Sequence, residues 1–478
     1  MSDRNSFFIG GEWVKPATSR QFKIVNATTE EIIALVPEAA EADVDRAVAA
    51  ARHAFEHSGW ATCAPAERAA VMRRFVAALQ TRSLELASTV SRQNGMPRQL
   101  SDGFEGGFSI GVLSYYAELA ASVTAEDSRP SQMGLETIVG RGPIGVVAAI
   151  VPWNFPITLA MSKIGPALAA GCTMVIKPSP GTVLDSYLLA EAAIEAGIPA
   201  GVLNWVAADR EVGAYLVSHP GIDKVAFTGS TVAGRSIART CGELLRPVTL
   251  ELGGKSAAII LDDANLDIVI AGLQQASLMN NGQACINGTR ILAPASRYGQ
   301  VVDALASMAS SLMVGDPLDL ATQVGPMASS AHRDRVEGYI AKGKSEARLV
   351  AGGGRPKNLG RGWFVEPTVF ADVSNSATIA REEIFGPVLS IISYTDETDA
   401  VRIANDSIYG LGGSVWGVDT ARAKNVARRV QTGTIGVNGY VPAIGSPFGG
   451  VKASGLGREF GPEALASYQQ LKSMYVMA

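Results

Sequence analysis

Cysteine is scarce in this sequence. There are four (Cys63, Cys172, Cys241 and Cys285) in 478 residues, and no two are spaced as C-x-x-C. That excludes a disulfide scaffold and leaves free thiols in a reducing compartment as the expectation. Histidine is as rare, also at four. His53 and His57 stand four apart in HAFEH, but the HExxH order is missing and no third ligand is evident, so a solvated helix face is expected and no metal. No run of about 18 apolar residues occurs, which excludes a hydropathy-defined spanning helix. No cluster of Lys and Arg marks a nucleic-acid or membrane surface, and the net charge is only −4. The opening stretch MSDRNSFFIGGEW has neither an apolar core nor a small-residue cleavage site, so a cytoplasmic protein is expected. No internal repeat stands out.

What is present is ample core material, with 47% hydrophobic residues against 18% charged. A single core stops growing at roughly 250–300 residues, so two or three domains are expected. Helical periodicity runs through 41–60, 65–93 and 101–122, and 130–142 reads as extended. A strict alternation follows. IGVVAAIV (144–151), TMVIK (173–177), VLNWVA (202–207), KVAFTG (224–229) and VTLEL (248–252) are short apolar strands. Helices separate them at 157–170, 182–196, 210–218 and 231–241. Buried strands alternating with helices make a parallel sheet covered on both faces, a doubly wound, Rossmann-like α/β arrangement. The alternation restarts after Gly253 and Gly254, with AAIIL (257–261), a helix near 265–280, TRILAP (289–294) and a helix at 298–312, which suggests a second α/β domain. The tail ASYQQLKSMYVMA (466–478) alternates weakly; it fits either a docked terminal strand or one added to a partner's sheet.

Three segments carry candidate chemistry. In NNGQACINGTR (280–290), Cys285 sits among small residues that would let a substrate reach its sulfur, although an inert buried cysteine fits the segment too. In LELGGKS (250–256), Glu251 ends a parallel strand, where such sheets bind ligands; a partly apolar cleft would raise its pKa and suit it to general-base work. In VPWNFP (151–156), the Asn154 amide can donate to an oxyanion without titrating, and the two prolines also read as a plain turn. GRGPIG (140–145) satisfies G-x-G-x-x-G but leads into a strand, so it reads as a turn rather than a phosphate loop.

VPWNFP, FTGSTVAGR (227–235), LELGGKS, GQACING (282–288), EEIFGPV (382–388) and SPFGGVKASGLGRE (446–459) occur in this order, with Cys285 34 positions after Glu251. Together they closely resemble the aldehyde dehydrogenase superfamily, over nearly the whole chain. The resemblance implies that an aldehyde is oxidised to a carboxylic acid with NAD or NADP as hydride acceptor. Cys285 would form a thiohemiacetal and then a thioester. Asn154 and the Cys285 N–H would hold the oxyanion, and Glu251 would activate the hydrolytic water. On the cofactor side it implies Lys177 at the adenosine ribose with Ser179 nearby, Gly229 and Ser230 at the pyrophosphate, Trp153 near the phosphates, Glu383 at the nicotinamide ribose and Phe385 beside the ring. Intact Glu251 argues against a CoA-acylating relative.

One departure concerns the cofactor. Many NAD-using members carry Glu three residues after the lysine, and here that position is Pro180. NADP therefore stays open beside NAD. The matched substrate tunnel supplies Phe155, Leu159, Ser162, Ile286, Val441, Pro442, Ile444 and Phe448, with Lys163 the one charge, which suggests a neutral aliphatic or aromatic aldehyde. The resemblance further implies a dinucleotide-binding domain (1–120 and 144–253), a catalytic domain (254–453), and a small β oligomerisation arm with the C-terminal tail (121–143 and 454–478). A homodimer or homotetramer is expected, with no nucleic-acid or membrane partner.

Overall fold

The computed structural model describes residues 3–130 and 136–477. Two large sheets dominate. In the first, five parallel strands run in the spatial order Val248–Glu251, Lys224–Thr228, Val146–Ile150, Thr173–Lys177, Leu203–Trp205. Numbered along the chain this is 5-4-1-2-3, the doubly wound Rossmann-like order. All but Val248 among these residues are buried, because helices cover both faces. Antiparallel strands flank it: Gly455–Leu456 on one side, Phe7–Ile9 and Glu12–Val14 on the other. The chain reverses its winding between Val146–Ile150 and Lys224–Thr228, and the carboxyl ends of these two neighbours frame the crevice where such sheets bind ligands.

The second sheet has seven strands, in the order Arg348–Ala351, Thr368–Ala371, Val388–Tyr394, Arg290–Pro294, Ala257–Ile260, Gly413–Trp416, Gly436–Val437. Only the first of these is antiparallel to its neighbour. A third, three-stranded sheet joins Glu126–Pro130, Glu136–Pro143 and the terminal strand Gln469–Val476. The tail thus docks in its own chain, paired from Gln469↔Pro143 to Val476↔Glu136. Of the segment read as extended, 131–135 lies outside the described residues.

Two helical readings need correction. The stretch 65–93 is two helices, Pro65–Gln80 and Ser83–Asn94. The stretch 101–122 is a short helix Arg98–Gly103, a π-turn Phe104–Phe108 and a helix Ser109–Ser122. The π-turn inserts a residue into the ladder and swings Phe104 and Phe108 inward. GRGPIG is not the turn expected from its sequence: Gly140–Pro143 end the strand Glu136–Pro143, and only Ile144 and Gly145 separate it from the strand Val146–Ile150.

Candidate active site

The nucleophile loop leaves the helix Leu266–Leu278 through three consecutive left-handed residues, Asn280 (φ 51°), Asn281 (φ 60°) and Gly282 (φ 80°). Asparagine tolerates this region better than most residues. Here both side chains are also tied down. Asn280 Nδ2 donates to the Asn154 carbonyl at 2.9 Å. Asn281 Nδ2 donates to the Gly95 and Pro326 carbonyls, and its Oδ1 accepts from the Gly325 N–H at 2.7 Å. A Cβ at Gly282 would lie 2.1 Å from the Gly386 carbonyl group, so only glycine fits. Cys285, half-buried, is the outcome of this turn. Burial, with Glu383 and Glu251 close by, pushes its thiol well above the ordinary value.

Asn154 follows the strand Val146–Ile150. Its Nδ2 gives one hydrogen to the Gln283 carbonyl at 3.0 Å, which leaves the second for the cavity that Asn154 and Cys285 both line. Asn94 braces the loop through the Trp153 and Asn154 carbonyls. Among the described residues the Cys285 N–H makes no hydrogen bond. The arrangement therefore leaves one amide N–H and one backbone N–H beside the sulfur.

Glu251 ends the strand Val248–Glu251 and is 2% exposed, yet neither carboxyl oxygen accepts a hydrogen bond among the described residues. Burial, and then the charge of Glu459, raise it well above the usual carboxylate range, with Lys163 and Arg458 opposing. Glu459 is buried too, and it is fully engaged: Lys163 Nζ donates to it at 2.6 Å and Ser162 Oγ at 2.8 Å. Lys163 also donates to Thr228 Oγ1 at 2.7 Å. A buried ion pair thus lies next to a buried, unpartnered acid.

Two cavities meet at Cys285. One, of about 70 Å³, is walled by Phe104, Phe108, Phe155, Phe448 and Phe460, with Asn154, Glu251 and Cys285 among its lining. The rings form a chain with centroids 5.6–5.8 Å apart, from Phe155 through Phe104, Phe108 and Phe460 to Phe448. Of the tunnel residues expected from sequence, Phe155, Leu159, Ile286, Pro442 and Phe448 line it. Ser162 and Lys163 are instead spent on Glu459, and Val441 points to solvent at 77% exposure. Within the π-turn, Glu105 accepts from the Ile157 N–H (2.7 Å) and Thr158 Oγ (2.6 Å), holding the first turn of the helix Pro156–Ala170; burial pushes its pKa up to about 8.

The other cavity, of about 250 Å³, is a crevice that gathers Trp153, Gly229, Ser230, Glu383 and Phe385 with Gly253, His332 and Arg335. Lys177 and Ser179 are not in its lining; Lys177 ends the neighbouring strand Thr173–Lys177, where its Nζ donates to the Ala208 and Pro178 carbonyls. Burial lowers Lys177 to about 8. Ser230 caps the helix Thr231–Glu243 by accepting from the Ala233 N–H, so the start of this helix stands at the crevice that Gly229 and Ser230 line. Glu383 Oε1 accepts from the Gly254 N–H at 2.9 Å, and a Cβ at Gly253 would sit 2.4 Å from Oε2. Burial raises Glu383 to about 7. A helix N-terminus at one end, a carboxyl oxygen at the other and a glycine floor between them suit a dinucleotide. His332, Arg335 and Glu459 went unnoticed at the sequence level. His53 and His57 stack at 4.6 Å on the helix Glu41–His57.

The family model described as the aldehyde dehydrogenase family matches residues 13–474. Geranial dehydrogenase of Castellaniella defragrans is 59% identical over 475 residues, covering 99% of each chain. The crystal structure of a Mycobacterium tuberculosis aldehyde dehydrogenase with NAD+ superposes with a TM-score of 0.97 at 48% identity, covering 100% of this chain and 99% of that one. A Pseudomonas syringae aldehyde dehydrogenase variant with NAD+ and octanal gives 0.95 at 38% identity, covering 98% and 96%.

Proposed function

The chain belongs to the aldehyde dehydrogenase family, oxidising an aldehyde to the acid with a nicotinamide dinucleotide, and from that premise we propose that Cys285, Asn154 and Glu251 carry the reaction on an apolar aldehyde. The observation behind this reading is that these three side chains line one phenylalanine-walled cavity, which opens at Cys285 onto the polar crevice.

Glu251 accepts the thiol proton as Cys285 Sγ bonds to the aldehyde carbon. Both groups are pushed upward by the same burial, so the transfer is far better matched than it would be for an ordinary carboxylate and a thiol. The free Asn154 hydrogen and the Cys285 N–H stabilise the oxyanion of the thiohemiacetal. When bound, the nicotinamide dinucleotide supplies the acceptor for the hydride leaving this carbon, and a thioester on Cys285 results. Glu251, having passed its first proton to solvent, removes another from the water that attacks the thioester. The sulfur leaves and the carboxylic acid departs. Glu459 accepts from Lys163 and Ser162, whereas Glu251 has no hydrogen-bond partner among the described residues, which leaves its carboxyl open to thiol and water.

On the cofactor side we assign Trp153, Gly229, Ser230, Glu383 and Phe385 to the crevice, with Lys177 and Ser179 at the adenosine end. NAD is favoured over NADP, because Lys177 Nζ, the cation that would meet a 2′-phosphate, already donates to the Ala208 and Pro178 carbonyls, and the similar solved structures carry NAD+. The division of the chain at 253/254 with an arm at 121–143 and 454–478, assembly into a dimer or tetramer, and a cytoplasmic location complete the proposal. The tail strand Gln469–Val476, exposed at all but its first residue, supports the assembly.

Geranial, the substrate in the 59%-identical relative's name, is the leading candidate, since a wall of five phenylalanines offers apolar contact and the Glu459 carboxyl in the lining is already paired with Lys163. Reduced-nicotinamide formation should be followed with geranial, octanal, a quaternary-ammonium aldehyde and a semialdehyde carboxylate, using NAD and NADP separately. The apolar aldehydes with NAD are expected to give the highest kcat/KM, and Cys285→Ala to lose roughly 10⁴-fold or more. A charged aldehyde outperforming both apolar ones would overturn the substrate assignment.

A further inference from the structure

Phe385 is a bulky residue held at φ 64°, a left-handed conformation that such side chains rarely adopt. It is wedged in place from two sides. A Cβ on the next residue, Gly386, would lie 2.6 Å from Val336, and the Gly386 carbonyl closes against Gly282 of the nucleophile loop. Its own carbonyl receives one strong contact: His332 Nε2 lies 2.6 Å from it. A carbonyl only accepts, so the Nε2 tautomer carries the proton. The residue is placed in turn by its backbone N–H, which donates to Ser329 Oγ at the start of the helix Ser330–Glu346. Its ring stands edge-on to Trp153 (centroids 5.1 Å) and to Phe385 (5.9 Å), and Trp153 meets Phe385 at 5.4 Å. All three rings line the crevice.

We propose that His332 is a positioning residue for the cofactor: by bonding the Phe385 carbonyl it holds Phe385 in its left-handed conformation, and so sets the aromatic wall against which the nicotinamide end rests. This deepens the reading of the crevice as the dinucleotide site and rests on it. Burial lowers the His332 pKa, which keeps the ring neutral with its one proton available to the carbonyl. Without that bond, the strained backbone has a lower-energy conformation to relax into, and the wall moves with it.

The test compares two ligands that share the adenosine diphosphate ribose moiety. NADH and ADP-ribose would be titrated by calorimetry into wild type, His332→Ala and His332→Gln, with thermal unfolding as the check on folding. Loss of one buried hydrogen bond predicts about tenfold weaker NADH binding for His332→Ala, with ADP-ribose changed by less than about twofold. His332→Gln, whose amide can donate to the same carbonyl, should recover most of the NADH affinity. Equal losses for both ligands, an unchanged NADH affinity in His332→Ala, or a glutamine variant no better than alanine would overturn the proposal. If wild type bound neither ligand, the dinucleotide reading itself would fall, and with it this role; wild-type binding with unaltered variants would remove His332 alone.

Discussion

The two cavities that meet at Cys285 are built by opposite means. The aldehyde side is made by packing: five phenylalanine rings, two from the π-turn and three from non-helical segments, meet in tilted and edge-to-face contacts, and its size is set by how they fill space. The cofactor side is made by backbone. Strand ends, a helix N-terminus, glycines that leave no room for a Cβ, and Phe385 at positive φ shape a polar crevice. Asn154, Thr228 and Cys285 line both. A packed wall can change its side chains without changing its fold, whereas a backbone wall cannot. Variation in substrate should therefore concentrate at the phenylalanines, and the crevice should tolerate little.

Glu251 gives the sharpest division between the two sides. Glu251→Gln should lower kcat by about 10²–10⁴-fold through loss of the base. If water activation is its slowest task, one equivalent of NADH should still form in a burst before turnover stalls. The pH dependence follows from the raised pKa. The anion is the active base and becomes populated only as pH rises through that pKa, so the wild-type acid limb should lie well above the usual carboxylate range. The limb should vanish in the variant. Loss of the burst as well would mean that Glu251 is needed on the thiol side first.

Asn154 belongs to both cavities, so its removal tests whether they are coupled through binding or only through chemistry. Asn154→Ala should cost about 10²–10³-fold in kcat, the usual worth of one oxyanion donor. NADH affinity should hold. A variant that instead lost NADH while keeping single-turnover chemistry would show that the bond from Asn154 to the Gln283 carbonyl organises the crevice rather than the oxyanion.

How much of this was legible beforehand follows the same divide. The parallel strands read as apolar runs within a few residues of where they lie, because burial on both faces leaves a continuous signal. Ordered motifs identified Cys285, Glu251 and Asn154 as candidates, and the structure brings them together in one lining. The break at Thr81–Arg82 left no glycine or proline in the sequence, so one helix was expected where there are two. The π-turn at Phe104–Phe108 kept an apolar face and hid its extra residue; Gly106 and Gly107 are its only sequence trace. Glu459 sits inside a recognised motif, but its pairing with Lys163 spans 296 residues, and no local pattern announces such a contact. His332 is a lone histidine on a polar helix, and only the Phe385 carbonyl 53 residues away gives it a task.

The smallest expected effect tests whether the packed side has a support of its own. Glu105 lies behind the pocket wall, between Phe104 and the first turn of the helix Pro156–Ala170. Its folded pKa is raised to about 8 from an ordinary 4.5 by burial, so the folded state favours the protonated form. The sign follows directly: its contribution to stability is fully present below the unfolded pKa and is lost as pH rises through about 8. Glu105→Gln cannot ionise, so the fall in Tm between neutral pH and pH about 9 should be shallower in the variant than in wild type. The aldehyde KM should rise modestly, since the Phe104–Phe108 wall loses part of its anchor, while NADH affinity stays put. An equal fall in Tm for both proteins would deny Glu105 its role as the titrating group. A matched loss of NADH affinity would show that the packed wall and the backbone wall are one structure, not two.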